Sequence, residues 1–227
     1  MARSQLLKDI ASGKGSLESI LLRLKVILSD LNNNEIIRWI EGELAGYKDE
    51  DVIPNYRVFM GQPIGTYIQN LKLKMTNAPV PLLAVLSQEN IDKISEITFR
   101  EGIASVQNIL DGEERNSMSK ILPASFCHGI SIPELQIFSM NIVVPATKLE
   151  GIIANVKSKL LSVVLELEKQ FVNLDDLDIR EQMEEDPSKR ASVSFTIENI
   201  VFDHSIAIGD RNKIESSSIG HSQMEGS

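Results

Sequence analysis

Residues 147–171 read TKLEGIIANVKSKLLSVVLELEKQF, and the rest of the chain is organised around this stretch. Its large apolar residues are Leu149, Ile152, Ile153, Val156, Leu160, Val163, Val164, Leu167 and Phe171. Steps of three and four residues put them on one face of an α-helix. Pro145 disfavours helix upstream, and Thr147 with Glu150 has the spacing of a capping box. Burying that ridge at about 2 kcal/mol per side chain requires a partner surface. The expected cover is the pair of helices predicted near the N-terminus, together with extended segments between.

That pair begins at Ser16, where SLESILLRLKVILSDL places Leu17, Ile20, Leu21, Leu24, Ile27, Leu28 and Leu31 on one face behind a serine N-cap. Asn32 to Asn34 break the pattern. EIIRWIEGELAGY then predicts a second helix, with Ile36, Ile37, Trp39, Ile40 and Leu44 on one side and Gly46 as its stop. The short polar link predicts an antiparallel hairpin with Trp39 near the seam. Beyond Asp49-Glu50-Asp51 the periodicity turns extended. Tyr56–Met60 and a second stretch, TYIQNLKLKM (Thr66–Met75), in which Leu71, Leu73 and Met75 alternate with Lys72 and Lys74, predict a β-hairpin with one face inward. Ala78-Pro79-Val80-Pro81 predicts an extended connection leading to a short helix near Leu82 to Leu86. Thr98 and Glu101 repeat the capping-box spacing before a helix with Ile103, Val106, Ile109 and Leu110 on its apolar face, ended by Gly112. A short helix over Asn116 to Leu122 and a strand over Leu135 to Val144 complete the body, the strand carrying Phe138, Met140, Ile142 and Val144 in alternation.

From Val172 to Ser192 the composition turns acidic and polar, which predicts a solvated linker. Val193, Phe195 and Ile197 then alternate as in a strand, and Ile208, Ile214 and Ile219 recur among Gly209, Asp210, Asn212 and Gly220 as in a small solenoid. The expected class is therefore α+β: a helical body with a small β-hairpin or sheet over residues 1–172, an acidic linker at 173–192, and a β-rich, solenoid-like tail at 193–227. Unpaired strands of that type find partners on other chains. The expected oligomerisation residues are Val193, Phe195, Ile197, Ile200, Phe202, Ile206, Ile208, Ile214 and Ile219, which make the protein a homo-oligomer.

Composition narrows the function classes. With 42% hydrophobic and 24% charged residues in 227, the chain is long enough for a sizeable core and is not of disordered type. The net charge of −9 opposes broad attraction to nucleic acid or to anionic membrane. No apolar run is long enough to cross a bilayer and the first residues lack a secretory signal, so a cytoplasmic location is expected. The single cysteine, Cys127, excludes an intrachain disulfide and a cysteine-rich zinc site.

Catalytic motifs are missing: there is no phosphate loop, dinucleotide fingerprint, nucleophile elbow or paired-histidine metal motif. His128, His204 and His221 are scattered. Cys127 beside His128 reads as a core cysteine, because neighbouring side chains point apart. Asp49, Glu50 and Asp51 read as a solvated loop without calcium-loop spacing. Glu41 and Glu43 fall on different sides of their helix, which is poor geometry for an acid–base pair. Tyr56 with Arg57, and Arg100 with Glu101, read as structural. No catalytic, metal or cofactor-binding residue is therefore assigned, and no cofactor is expected.

Several stretches, in order over roughly residues 4 to 170, nonetheless resemble the AbiTii family of bacterial abortive-infection domains. They are SLESILLRLKVILSDL, WIEGELAGY (Trp39–Tyr47), PNYR (Pro54–Arg57), FREGIA (Phe99–Ala104) and NVKSKLLSVVLELE (Asn155–Glu168). The resemblance implies phage defence through a sensing, adaptor or assembly module, with a phage or host protein as a further partner. It carries no active site over. Two alternatives stay open: a metal-dependent nuclease or other toxic hydrolase whose acidic residues meet only in three dimensions, and an adaptor to a separately encoded effector.

Overall fold

The computed structural model describes residues 3–113, 118–184 and 186–202. The predicted ridge is α7 (Ala146–Gln170), and Leu149, Ile152, Val156, Leu160, Val163, Val164, Leu167 and Phe171 are all buried. The helix starts at Ala146, behind Pro145, without a side-chain cap. Thr147 therefore lies inside the first turn and not at the expected N-cap. The N-terminal hairpin is α2 (Leu17–Ser29) and α3 (Asn34–Ala45). Ser16 accepts the Ser19 N–H at 3.1 Å, and Asn33 accepts from Glu35 and Ile36. Trp39 is 1% exposed.

An unexpected short helix precedes them: α1 (Gln5–Ser12), capped by Ser4 and ended by Gly13 at φ 67°. Leu6, Leu7 and Ile10 of α1 enter the helical core. α1, α5 (Ile103–Asp111) and α9 (Pro187–Phe202) approach the ridge most closely, and the α2–α3 hairpin shares the same core. The capping box expected at Thr98 and Glu101 does not form. Thr98 lies in a strand, and α5 starts only after Gly102.

The β-structure is paired differently from the expected hairpin. Strand β1 (Val58–Met60) pairs with β4 (Glu96–Thr98) as a separate ribbon. The stretch read as one strand folds back on itself as β2 (Gln62–Gln69) and β3 (Leu73–Pro79), because Asn70 and Leu71 adopt φ of 52° and 56° and close a tight turn. Leu71 and Leu73 are consequently exposed. With β5 (Ser119–Ile121) and β6 (Leu135–Val143) these make an antiparallel sheet ordered β3-β2-β6-β5. The described part of the helix expected at Asn116 to Leu122 is strand β5. In β6 the alternation slips: Thr66 pairs with Ser139 but Tyr67 with Ile137, leaving Phe138 as the extra residue of a bulge. The inward set is Leu135 and Ile137 before the bulge and Met140 and Ile142 after it, while Phe138 is 46% exposed.

The sheet has its own core, where Tyr67, Val80, Leu82, Cys127, Leu135, Ile137 and Met140 pack with residues of α4 (Gln88–Ser95) and α6 (Ala124–Gly129). Residues 62–95 and 118–143 thus form a β-module inserted into the helical body.

The C-terminal part departs most from expectation. Leu174, Ile179 and Met183 of the acidic segment are buried in the helical core, the last on α8 (Arg180–Glu184). The acidic side chains face outward while these apolar ones plug inward, so segment-averaged composition conceals the packing. Residues 193–202 are helical in α9, not a strand. Val193, Ile197 and Val201 recur every fourth residue, and burial against α7 and α3 selects the helix over the local alternation. The solenoid expected further on lies outside the described residues.

Candidate functional site

The helical stripe of α3 runs Ile36, Trp39, Ile40 and then Glu43, a carboxylate where the pattern calls for a hydrophobe. Glu43 is 0% exposed. A buried carboxylate needs a partner, and Arg57, also 0% exposed, supplies it from the 3-10 turn Asn55–Arg57 that leads into β1. The guanidinium donates from Nη2 to Glu43 Oε2 at 2.6 Å and from Nε to Oε1 at 3.0 Å, a two-pronged contact. Its Nη1 donates to the carbonyls of Phe99 at 3.2 Å and Glu101 at 2.7 Å.

Two phenols complete the node. Tyr47, one helical turn beyond Glu43, and Tyr56 each donate to Glu43 Oε1 at 2.7 Å. The Trp39 indole donates to the Tyr56 hydroxyl at 3.0 Å, and the Arg57 guanidinium lies 5.1 Å from the Tyr47 ring centroid. Burial, reinforced by the negative charge of Glu43, pushes both phenols well above their ordinary value. For Arg57, burial opposes the charged form, but the bonds and charge of Glu43 outweigh it and hold the guanidinium above its usual range. The three partners therefore stay protonated at neutral pH around a fully coordinated carboxylate.

The turn around the node has no slack. Gly46, at φ 96°, lets the chain reverse so that the Tyr47 N–H reaches the Arg100 carbonyl at 2.8 Å. A Cβ on Gly42 would stand 2.3 Å from Tyr47 Cε1, and one on Gly102 would stand 2.4 Å from the Leu44 carbonyl oxygen.

The other candidate residues are not brought together. Glu41 projects away from Glu43, as the helical phase predicts, and pairs on the surface with Lys25 at 2.8 Å. Asp51 accepts the Lys48 N–H at 2.6 Å within its own turn, while Asp49 is fully exposed 3.7 Å from Arg100. Among the described residues no group of three His, Cys, Asp or Glu is placed to hold a metal ion. Cys127 is buried in the sheet core and burial pushes its thiol up, the opposite of an activated thiolate. His204 and His221 lie outside the described residues.

Of the expected oligomerisation residues, Val193 and Ile197 are committed to the protein's own core. Ile200 and Phe202 are half-buried and Phe195 is 66% exposed. Ile206, Ile208, Ile214 and Ile219 lie outside the described residues.

The node is built from WIEGELAGY, PNYR and the FREGIA turn, and a family model matches the chain over residues 4–192. The chain belongs to the AbiTii family. Membership in AbiTii implies abortive-infection defence against phage. No curated protein and no solved structure matches the chain significantly. The AbiTii match reaches residue 192, past the end of the resemblance read from sequence, in keeping with the burial of Leu174, Ile179 and Met183 in the same core. Tyr56 and Arg57, expected as structural, and Glu43, expected as half of a poor acid–base pair, meet in one buried node. The signal that joins them was present: a carboxylate in an apolar stripe, with a tyrosine four residues on and one arginine in the next segment.

No helix of the described residues is long and apolar enough to cross a membrane.

Proposed function

We propose that this AbiTii chain serves phage defence as a non-catalytic, self-associating module of the cytoplasm, with residues 203–227 carrying the association. The observation that supports this reading is the closure of the Glu43 node. A general base must reach a substrate proton, yet both oxygens of Glu43 are engaged by protein donors and none of its surface is open. The residues that mark the family here hold a shape, and on this reading that shape acts by binding. Since Val193 and Ile197 are used internally, the association falls to Ile206, Ile208, Ile214 and Ile219, with a phage or host protein as the second partner.

The test compares the full chain with one ending at Phe202. Sedimentation should give a larger particle for the full chain, and phage plating should show protection only with it. Equal mass per particle would remove the tail's role. Purified protein incubated with nucleic acid and divalent metal should leave it intact; cleavage that disappears in an Asp49→Asn, Glu50→Gln, Asp51→Asn variant would replace this reading with a nuclease.

A further inference from the structure

Most of α9 lies beyond the segment that the family model matches. The matched segment stops at residue 192, and the side chains that seat α9 in the helical core, Val193, Ile197 and Val201, all come after it. Their four-residue spacing draws a narrow apolar line along a 16-residue helix. Beside that line the seam with α7 is polar. Asn155, Ser158 and Ser162 of α7 and Thr196 and Asn199 of α9 line an open groove of about 470 Å³.

Polar contacts hold α9 near Glu198 and Ile200. Lys159 of α7, 6% exposed, donates from Nζ to the Ile200 carbonyl at 2.9 Å. The Asn33 amide, whose oxygen caps α3, donates to the Glu198 carboxylate. The Lys159 ammonium also lies 5.5 Å from the centroid of the Tyr56 ring. Phe202 lines a small space of about 60 Å³ with Trp39 and Tyr47. The tip of α9 thus touches the rim of the Glu43 node.

We propose that α9 is a releasable strap: a helix that detaches locally from the helical body, uncovers the α3–α7 face beneath it, and is held closed by Lys159 at the Ile200 carbonyl. A helix seated by Val193, Ile197 and Val201, with Ile200 and Phe202 only partly buried beside them and a polar seam along α7, opens at lower free energy than α2 and α7, which bury more of their residues. The strap does not depend on the residues that follow Phe202 self-associating.

Amide hydrogen exchange on the full chain tests this. The Phe195–Phe202 amides should exchange by local opening, faster than the core amides of α2 and α7. Lys159→Met should speed the Glu198–Phe202 amides by about tenfold or more, the loss expected for a hydrogen bond from a charged donor, with α2 unchanged. Asn199→Leu, which adds apolar contact in the seam, should slow the same amides. Exchange of α9 in step with α2 in the native protein would show that it opens only with the whole fold and would overturn the proposal. So would a Lys159→Met variant that accelerates every helix alike.

Discussion

Replacing Arg57 with Met isolates what the buried pair contributes. The variant keeps the stem of the side chain but removes four N–H donors: two to Glu43, one to Phe99 O and one to Glu101 O. Glu43 Oε1 retains the Tyr47 and Tyr56 hydroxyls, while Oε2 loses its Arg57 donor. An uncompensated buried carboxylate costs about 3 to 5 kcal/mol, a large share of the roughly 5 to 15 kcal/mol that holds a typical domain together. Glu43→Gln should cost a comparable amount by stranding the guanidinium. The double variant should cost less than the sum of the two by about 1.5 to 3 kcal/mol, because each single change already forfeits the shared contact. Urea unfolding followed by tryptophan fluorescence is suited to this, since Trp39 is the only tryptophan and its indole N–H bonds Tyr56 inside the node. The reasoning is refuted if Arg57→Met shifts stability by under about 1 kcal/mol, or if the two changes add to within about 0.5 kcal/mol.

Three further outcomes follow from the geometry. Burial works against the charge of Glu168, but hydrogen bonds from Arg3 at 2.7 Å and the Ser4 N–H at 2.7 Å outweigh it and hold its pKa below the ordinary 4.5. Its contribution is therefore complete above that value and is lost as pH falls through the lowered one, so Glu168→Gln should flatten the acid limb of a plot of unfolding midpoint against pH. The sign is opposite at high pH. Tyr47 and Tyr56 are raised above 10.0, so stability is intact below that value and declines as pH rises beyond it. Their tyrosinate absorbance should emerge only with unfolding, and its appearance in the native protein near ordinary tyrosine pH would contradict the burial. Gly102→Ala drives a Cβ to 2.4 Å from a backbone oxygen and should cost about 1 to 3 kcal/mol, whereas Gly151→Ala, in α7 with nothing within 4 Å, should gain about 0.5 to 1 kcal/mol in the same denaturation assay.

What was legible in the sequence was whatever local periodicity determines. The ridge from Leu149 to Phe171, the capped start at Ser16 and the stop at Gly46 depend on neighbours three or four residues away, and all three are present. Strand partners depend on turns. Asn70 and Leu71 take left-handed conformations, a choice more usual for the asparagine than for the leucine, so the fold-back of β2 onto β3 was hidden behind an alternation that looked continuous. The bulge at Phe138 likewise reversed which side chains face inward without leaving a mark in residue type. At the C-terminus, Val193, Ile197 and Val201 satisfy a four-residue step as well as Val193, Phe195 and Ile197 satisfy a two-residue one. Only the surface of α7 and α3 decides between them.

The Glu43 node was illegible for a related reason: its parts come from three segments, α3, the 3-10 turn before β1 and the turn at 99–101. That same fact suggests why a charged pair occupies a site where hydrophobes of equal volume would hold as well or better. An apolar contact is indifferent to a small slip, but the Arg57 fork meets its carboxylate in one orientation while Nη1 reaches the carbonyls of Phe99 and Glu101. Those carbonyls flank the end of β4, and Arg57 adjoins the start of β1, so the pair fixes both strands of the ribbon against α3 at one point. Each strand of that ribbon leads into or out of the β-module, β1 through Gly61 and β4 through Ser95. The buried pair therefore ties two of the β-module's connections to α3, and a Glu43→Leu, Arg57→Met variant should keep both cores while the β1 and β4 amides lose hydrogen-exchange protection.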